Sequence, residues 1–130
     1  MKKIKFNNMR MIAIECDDKY SLEICVASGF ADFMVNINLD KQDFEVIEKD
    51  EERAAFLHSA LHHPFQLRET NLNDKEQRYF LDVILHGEKS VVESFLTQMD
   101  HGNTNGAISN MIRITCKREQ SRMRQGHWFN

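Results

Sequence analysis

A chain of 130 residues with 42% hydrophobic and 28% charged side chains has the size of one domain and is too apolar to be disordered. At this length a core buries roughly two thirds of the surface the unfolded chain exposes, so folding requires neither disulfide nor metal. The net charge of −3 hides an asymmetry: residues 1–10 and 113–130 each carry +4, while residues 11–112 hold 8 basic and 19 acidic side chains, a balance of −11. Such a body repels nucleic acid and attracts a basic partner.

The start, Met1-Lys2-Lys3-Ile4-Lys5-Phe6-Asn7-Asn8, has the charge of a secretion signal but not the apolar run or cleavage site that follows in one. The best apolar stretch, Met9 to Ile14, is broken by Arg10 and far too short to span a membrane. Cys16, Cys25 and Cys116 are an odd number with no metal-site spacing, which predicts free thiols and a cytoplasmic location.

Met11 to Cys16 alternates, with Ile12, Ile14 and Cys16 on one face; Asp17-Asp18-Lys19-Tyr20 is a polar turn, and Leu22, Ile24 and Val26 resume the alternation. This predicts a hairpin in which Ile14 faces Ile24 and Cys16 faces Leu22, with Cys25 on the other side. Ser28-Gly29 turns the chain into a third strand, with Phe33, Val35, Ile37 and Leu39 on one face. Asp40 is a good helix cap before a helix over 41–49 with Phe44 and Ile47 inward. A second helix follows a break at Asp50, with Ala54, Leu57 and Leu61 inward, because one unbroken helix would bury Glu48 and Glu51. Pro64, the chain's one proline, is expected to end it.

Phe65 to Thr70 reads as a short strand and Asn71 to Lys75 as a turn. Tyr79 to Leu85 reads as a central buried strand that Gly87 breaks. Val91, Val92, Phe95, Leu96 and Met99 face one side of a helix that stops before Gly102, and Asn103 to Gly106 is a turn. Ile108, Ile112, Ile114 and Cys116 predict a last strand. The expected fold is a single α+β domain over 1–130, a mostly antiparallel sheet with about three helices in the order βββααββαβ. The basic segment 117–130 either frays as a tail or packs on the acidic body.

Catalytic machinery is not apparent. His58 and His62 have a spacing that lets two imidazoles share a metal, but Ser59 stands where a metalloprotease needs Glu, and no third ligand is identifiable. His62 and His63 also suit the negative end of a helix. The cysteines lie in apolar surroundings, and no glycine-rich loop cradles a phosphate. Asp82 interrupts an apolar run and reads as the solvent side of that element. The expectation is no catalytic residue, metal or cofactor.

The strongest local signal is acidic. Asp40 to Glu52 holds seven carboxylates and two lysines. Some of these acids favour helix N-termini; the rest form a surface that would steer and hold a cationic protein. The predicted partner-binding residues are Asp40, Asp43, Glu45, Glu48, Glu51 and Glu52. With its central run Asp50-Glu51-Glu52-Arg53-Ala54-Ala55-Phe56-Leu57-His58-Ser59-Ala60-Leu61-His62-His63-Pro64, its size and its acidic body, the chain resembles, as a class, the small bacterial immunity proteins of contact-dependent growth inhibition and related polymorphic toxin systems. That resemblance implies a cytoplasmic, non-enzymatic protein that occludes a toxin, a nuclease by preference, with no membrane partner and no small-molecule substrate. Two alternatives stand beside it. One is a nucleic-acid or regulatory module using Lys117 to Phe129, where Arg118, Arg122, Arg124 and Trp128 mix basic and aromatic character; repulsion from the acidic body argues against it. The other is a small enzyme with an unrecognised site.

Overall fold

Asp17 and Asp18 set the register of the sheet. In a computed structural model of the chain, which describes residues 1–28, 31–66 and 72–129, both adopt left-handed φ, 52° and 63°. Aspartate tolerates that conformation better than most side chains, and two such residues make a hairpin turn whose twist matches the strands it joins. The strands are β1 (Lys2–Lys5), β2 (Met11–Cys16), β3 (Lys19–Ser28) and β4 (Ala31–Leu39), paired in sequence order as an antiparallel meander. Cys16 pairs with Lys19, Ala13 with Leu22 and Met11 with Ile24.

The turn is therefore two residues long rather than four. That shifts the expected pairing by an odd number of residues and turns β2 over. Met11 and Ala13 enter the core with Leu22, Ile24 and Val26, while Ile12, Ile14 and Cys16 lie on the outer face. Cys25 shares that outer face rather than opposing it. The two thiols sit at opposite ends of the β2–β3 ladder, too far apart to bond, and all three cysteines are free. The strand β1, unexpected because of its lysines, forms one edge of the sheet.

Asp40 caps α1 (Lys41–Lys49) as expected, and reciprocally: its carboxylate accepts from the Asp43 amide and that of Asp43 accepts from the Asp40 amide, both at 2.9 Å. The break at Asp50 is also present, and Asp50 caps α2 (Glu51–Gln66) by accepting from the Arg53 amide at 3.1 Å. Every residue from Ala54 to Leu61 is buried, because α2 packs against β3, α1, α3 (Asp74–His86) and α5 (Ala107–Cys116). Pro64 does not end this helix; it sits in the last turn before Gln66. Proline there forfeits one backbone hydrogen bond without interrupting the turns before it.

Two expected strands are helices. Asn73 and Glu76 form a capping box at the start of α3, and Phe80, Leu81, Ile84 and Leu85 bury one helical stripe. In α5, Ile108 and Ile112 are buried while Ile114 is exposed. A spacing of four satisfies both the strand and the helix period, so even-numbered apolar positions could not discriminate. Of the strand expected at 65–70, Phe65 and Gln66 belong to α2, and the remainder lies outside the described residues, as does Asn71.

The helix α4 (Lys89–Gln98) buries Val92 and Leu96 and runs into a π-type turn, Met99–Asn103, that carries Gly102. Asn105 and Gly106 follow in left-handed conformation. The chain is α+β with an antiparallel sheet, but its order among the described residues is four strands followed by six helices, the last being α6 (Gln120–Arg124). The βββααββαβ order and the count of about three helices do not hold, since the chain makes all its strands first. Among the described residues no helix is long and apolar enough to cross a membrane.

Candidate partner-binding surface

The six acidic residues singled out by sequence do not form one surface. Asp43 is fully enclosed. It accepts two hydrogen bonds from the Arg78 guanidinium, both 2.7 Å, and one from His86 Nε2 at 2.8 Å, besides that from the Asp40 amide. Burial opposes its charge, but the donors from Arg78, the Asp40 amide and His86 together hold its carboxyl below the ordinary range. Arg78 also reaches Asp82 at 2.7 Å and Asp40 at 3.5 Å. Asp82 is thus an exposed acid on a helix, paired one turn away, without the burial an acid/base role would use.

Glu48 pairs with Lys2 of β1. Glu52 pairs with Arg118 at 2.9 Å, and Arg118 also donates to the Trp128 carbonyl. Glu51 and Glu52 line the same shallow depression as Lys117 and Arg118. The acidic segment therefore divides: Asp43 faces α3, Asp40 lies between α3 and the sheet end, Glu45 and Glu48 face the sheet end, and Glu51 and Glu52 face the basic C-terminal segment.

That segment packs on the body. Trp128 is fully buried: its ring meets Phe56 edge-on at 6.2 Å, its indole N–H donates to Thr97 Oγ1 at 2.9 Å, and its amide donates to Glu93 at 2.8 Å. Phe129 packs on Phe56, with Arg53 and Lys89 over its ring. Neither the Trp128 ring nor Arg118 is free to stack on a base.

What sequence reasoning missed is Tyr20. On β3 it pairs with Glu15 of β2 and Leu39 of β4, and its ring packs on Phe44 of α1 with centroids 5.3 Å apart. Partial burial first, then a hydrogen bond to Glu15 and the charges of Glu15, Asp18 and Glu45, push its hydroxyl above the ordinary value. A cleft of about 620 Å³ beside it is lined by Asp18, Lys19, Asn38, Asp40 and Lys41. Carboxylates of the β2–β3 hairpin and of α1, distant in sequence, thus gather around one half-buried aromatic ring. Glu15, Asp18, Asp40 and Glu45 outnumber Lys19 and Lys41 of the cleft wall, and a tyrosine in such a net acidic setting suits an incoming lysine or arginine, which gains both charge contact and a ring face. The one signal in the sequence was Asp17-Asp18, legible only as a turn.

His58 and His62 are buried on α2 with ring centroids 5.7 Å apart. Among the described residues, the Nδ1 of each and the Ser59 hydroxyl find no hydrogen-bond partner. Burial, and then the neighbouring His62, pushes His58 down to about 4, and burial with the charges of His63 and Arg10 lowers His62. Among the described residues, no three His, Cys, Asp or Glu side chains cluster to hold a metal. No protein-family model, curated protein or solved structure matches the chain.

Proposed function

We propose that this chain is a non-enzymatic protein-binding domain, an immunity protein of the cytoplasm that neutralises a basic toxin, a nuclease by preference, by covering its active site. The observation that supports this reading is the gathering of Glu15, Asp18, Asp40 and Glu45 around Tyr20 at one end of the sheet. Charges placed so steer a cationic partner to the surface, and an aromatic residue at their centre provides the apolar anchor that charge alone lacks.

The test separates this tertiary patch from the acidic segment as a stretch of sequence. Asp18→Asn with Glu45→Lys alters the patch, while Glu51→Lys changes an exposed acid on the far side. The double variant should bind the toxin encoded beside this gene at least tenfold more weakly (about 1.4 kcal/mol), with association that is slower and less sensitive to salt than that of the wild type. Glu51→Lys should bind as wild type. Equal affinities for all three proteins would remove this patch as the interface, and failure of the wild type to bind or protect against any neighbouring product would remove the immunity reading.

A small enzyme is the second reading. Its one supporting observation is a cleft of about 780 Å³ lined by Tyr79, Phe80, Phe95 and Met99, with His63 and Glu76 among its walls. If that cleft serves catalysis, His63→Ala with Glu76→Ala abolishes the biological activity while toxin binding, if any, is unchanged.

A further inference from the structure

The two edges of the sheet are treated differently. The strand β1 is four residues long and carries Lys2, Lys3 and Lys5, the short and charged edge that discourages pairing with another chain. The other edge, β4, is nine residues long with the sequence Ala-Asp-Phe-Met-Val-Asn-Ile-Asn-Leu. It has no lysine, no proline and no bulge in its pairing with β3. Among the described residues, no strand lies on its outer side. Phe33 and Val35 lie on the core face of the sheet with Ile37 and Leu39, yet unlike those two they are only partly covered. Met34, on the outer face, is 51% exposed.

We propose that β4 pairs with β4 of a second copy of this chain, antiparallel about a two-fold axis at Val35, to give a continuous sheet of two meanders. The occupant follows from the residues. In that register Phe33 meets Ile37, Met34 meets Asn36 and Asp32 meets Asn38 of the other copy, so apolar faces apolar on the core side and no like charges meet. Asp32, the strand's one charge, is already neutralised by Arg10 at 2.7 Å. A neutral edge offers a cationic partner no electrostatic guidance, whereas self-pairing needs none. It satisfies both copies' edge N–H and C=O groups with one symmetric contact. The acidic patch around Tyr20 adjoins the Leu39 end of β4 and shares Asn38 with it, but the self-pairing is argued from the edge itself and tested by mass alone, so it does not depend on the toxin-binding reading.

Residues 34 and 36 are both exposed in the single chain, so changing them should leave the fold intact. In the proposed register they face each other across the axis. Met34→Lys with Asn36→Lys therefore sets like charges opposite one another twice, whereas Met34→Lys with Asn36→Glu sets opposite charges there. Light scattering after size exclusion and sedimentation equilibrium, with circular dichroism to check folding, read the result. The wild type should have the mass of two chains. The double-lysine variant should dissociate at least about tenfold more readily, and the lysine–glutamate variant should recover the dimer and lose it in high salt. A wild type of single-chain mass up to about 1 mM, where even weak contacts register, overturns the proposal and leaves the edge to a foreign strand. A double-lysine variant as dimeric as the wild type also overturns it, by placing the contact elsewhere.

Discussion

Arg78 of α3 grips the enclosed carboxylate of Asp43 on α1 with two parallel hydrogen bonds of 2.7 Å. Two-point pairing of this kind fixes orientation as well as distance. It holds α1 against α3, and with α1 the Phe44 ring on which Tyr20 rests. An acid that reads in sequence as part of a docking surface is instead a fastening between two helices.

Removing either partner should therefore destabilise the protein, but unequally. Arg78→Ala leaves the Asp43 charge enclosed with only His86 and one amide to answer it. Since Arg78 is itself 36% exposed at its side chain, the loss should be about 2–3 kcal/mol, at or below the low end for breaking a fully buried pair. Asp43→Asn keeps the shape and frees Arg78 to turn to Asp40, Asp82 and water, so it should cost less. Urea denaturation of both variants checks the order; a smaller loss for Arg78→Ala would show that Asp43 finds another cation.

Acid should act through α2. His58 is 3% exposed and its imidazole is pushed down to about 4, against about 6.5 in the unfolded chain. Below pH 6.5 the unfolded chain binds the proton that the folded one refuses, so stability is complete above that pH and is lost as pH falls toward 4. The loss should reach about 3 kcal/mol, with His62 adding in the same direction. Denaturation at pH 7 and pH 4.5 should show a much smaller difference in His58→Leu than in the wild type. Equal acid sensitivity in the two proteins would exonerate His58.

Trp128 should matter to stability far more than its place near the chain end suggests. It fills a pocket between α2 and α4 and satisfies Thr97 and Glu93. Trp128→Ala should cost about 3–5 kcal/mol, from the cavity and the unpaired groups left behind, without altering the surface around Tyr20. Thermal melting together with toxin affinity separates the two effects: a large fall in Tm with unchanged affinity is the expected pair of results.

The sequence by itself determined whatever depends on neighbours along the chain. The strands after Met11, the cap at Asp40, the break at Asp50 and the buried Phe44 and Ile47 were all legible, because alternation, capping and helical spacing are local properties. Where two local codes agreed with the residues, only packing could choose. Tyr79 to Leu85 and Ile108 to Cys116 alternate well enough for strands, yet become helices that bury their apolar stripes against α2 and its neighbours. The face of β2 was likewise undetermined until the aspartate turn chose two residues over four, since a register shift by an odd number exchanges inside for outside. The candidate site was the least legible of all. Clustered acids announce a charge, but tertiary structure consumed Asp43, Glu48 and Glu52 in internal pairs. It then brought Glu45 of α1 to Tyr20, beside Glu15 and Asp18 of the hairpin. Charge acts through space, and sequence proximity reports it only where the chain does not fold back on itself.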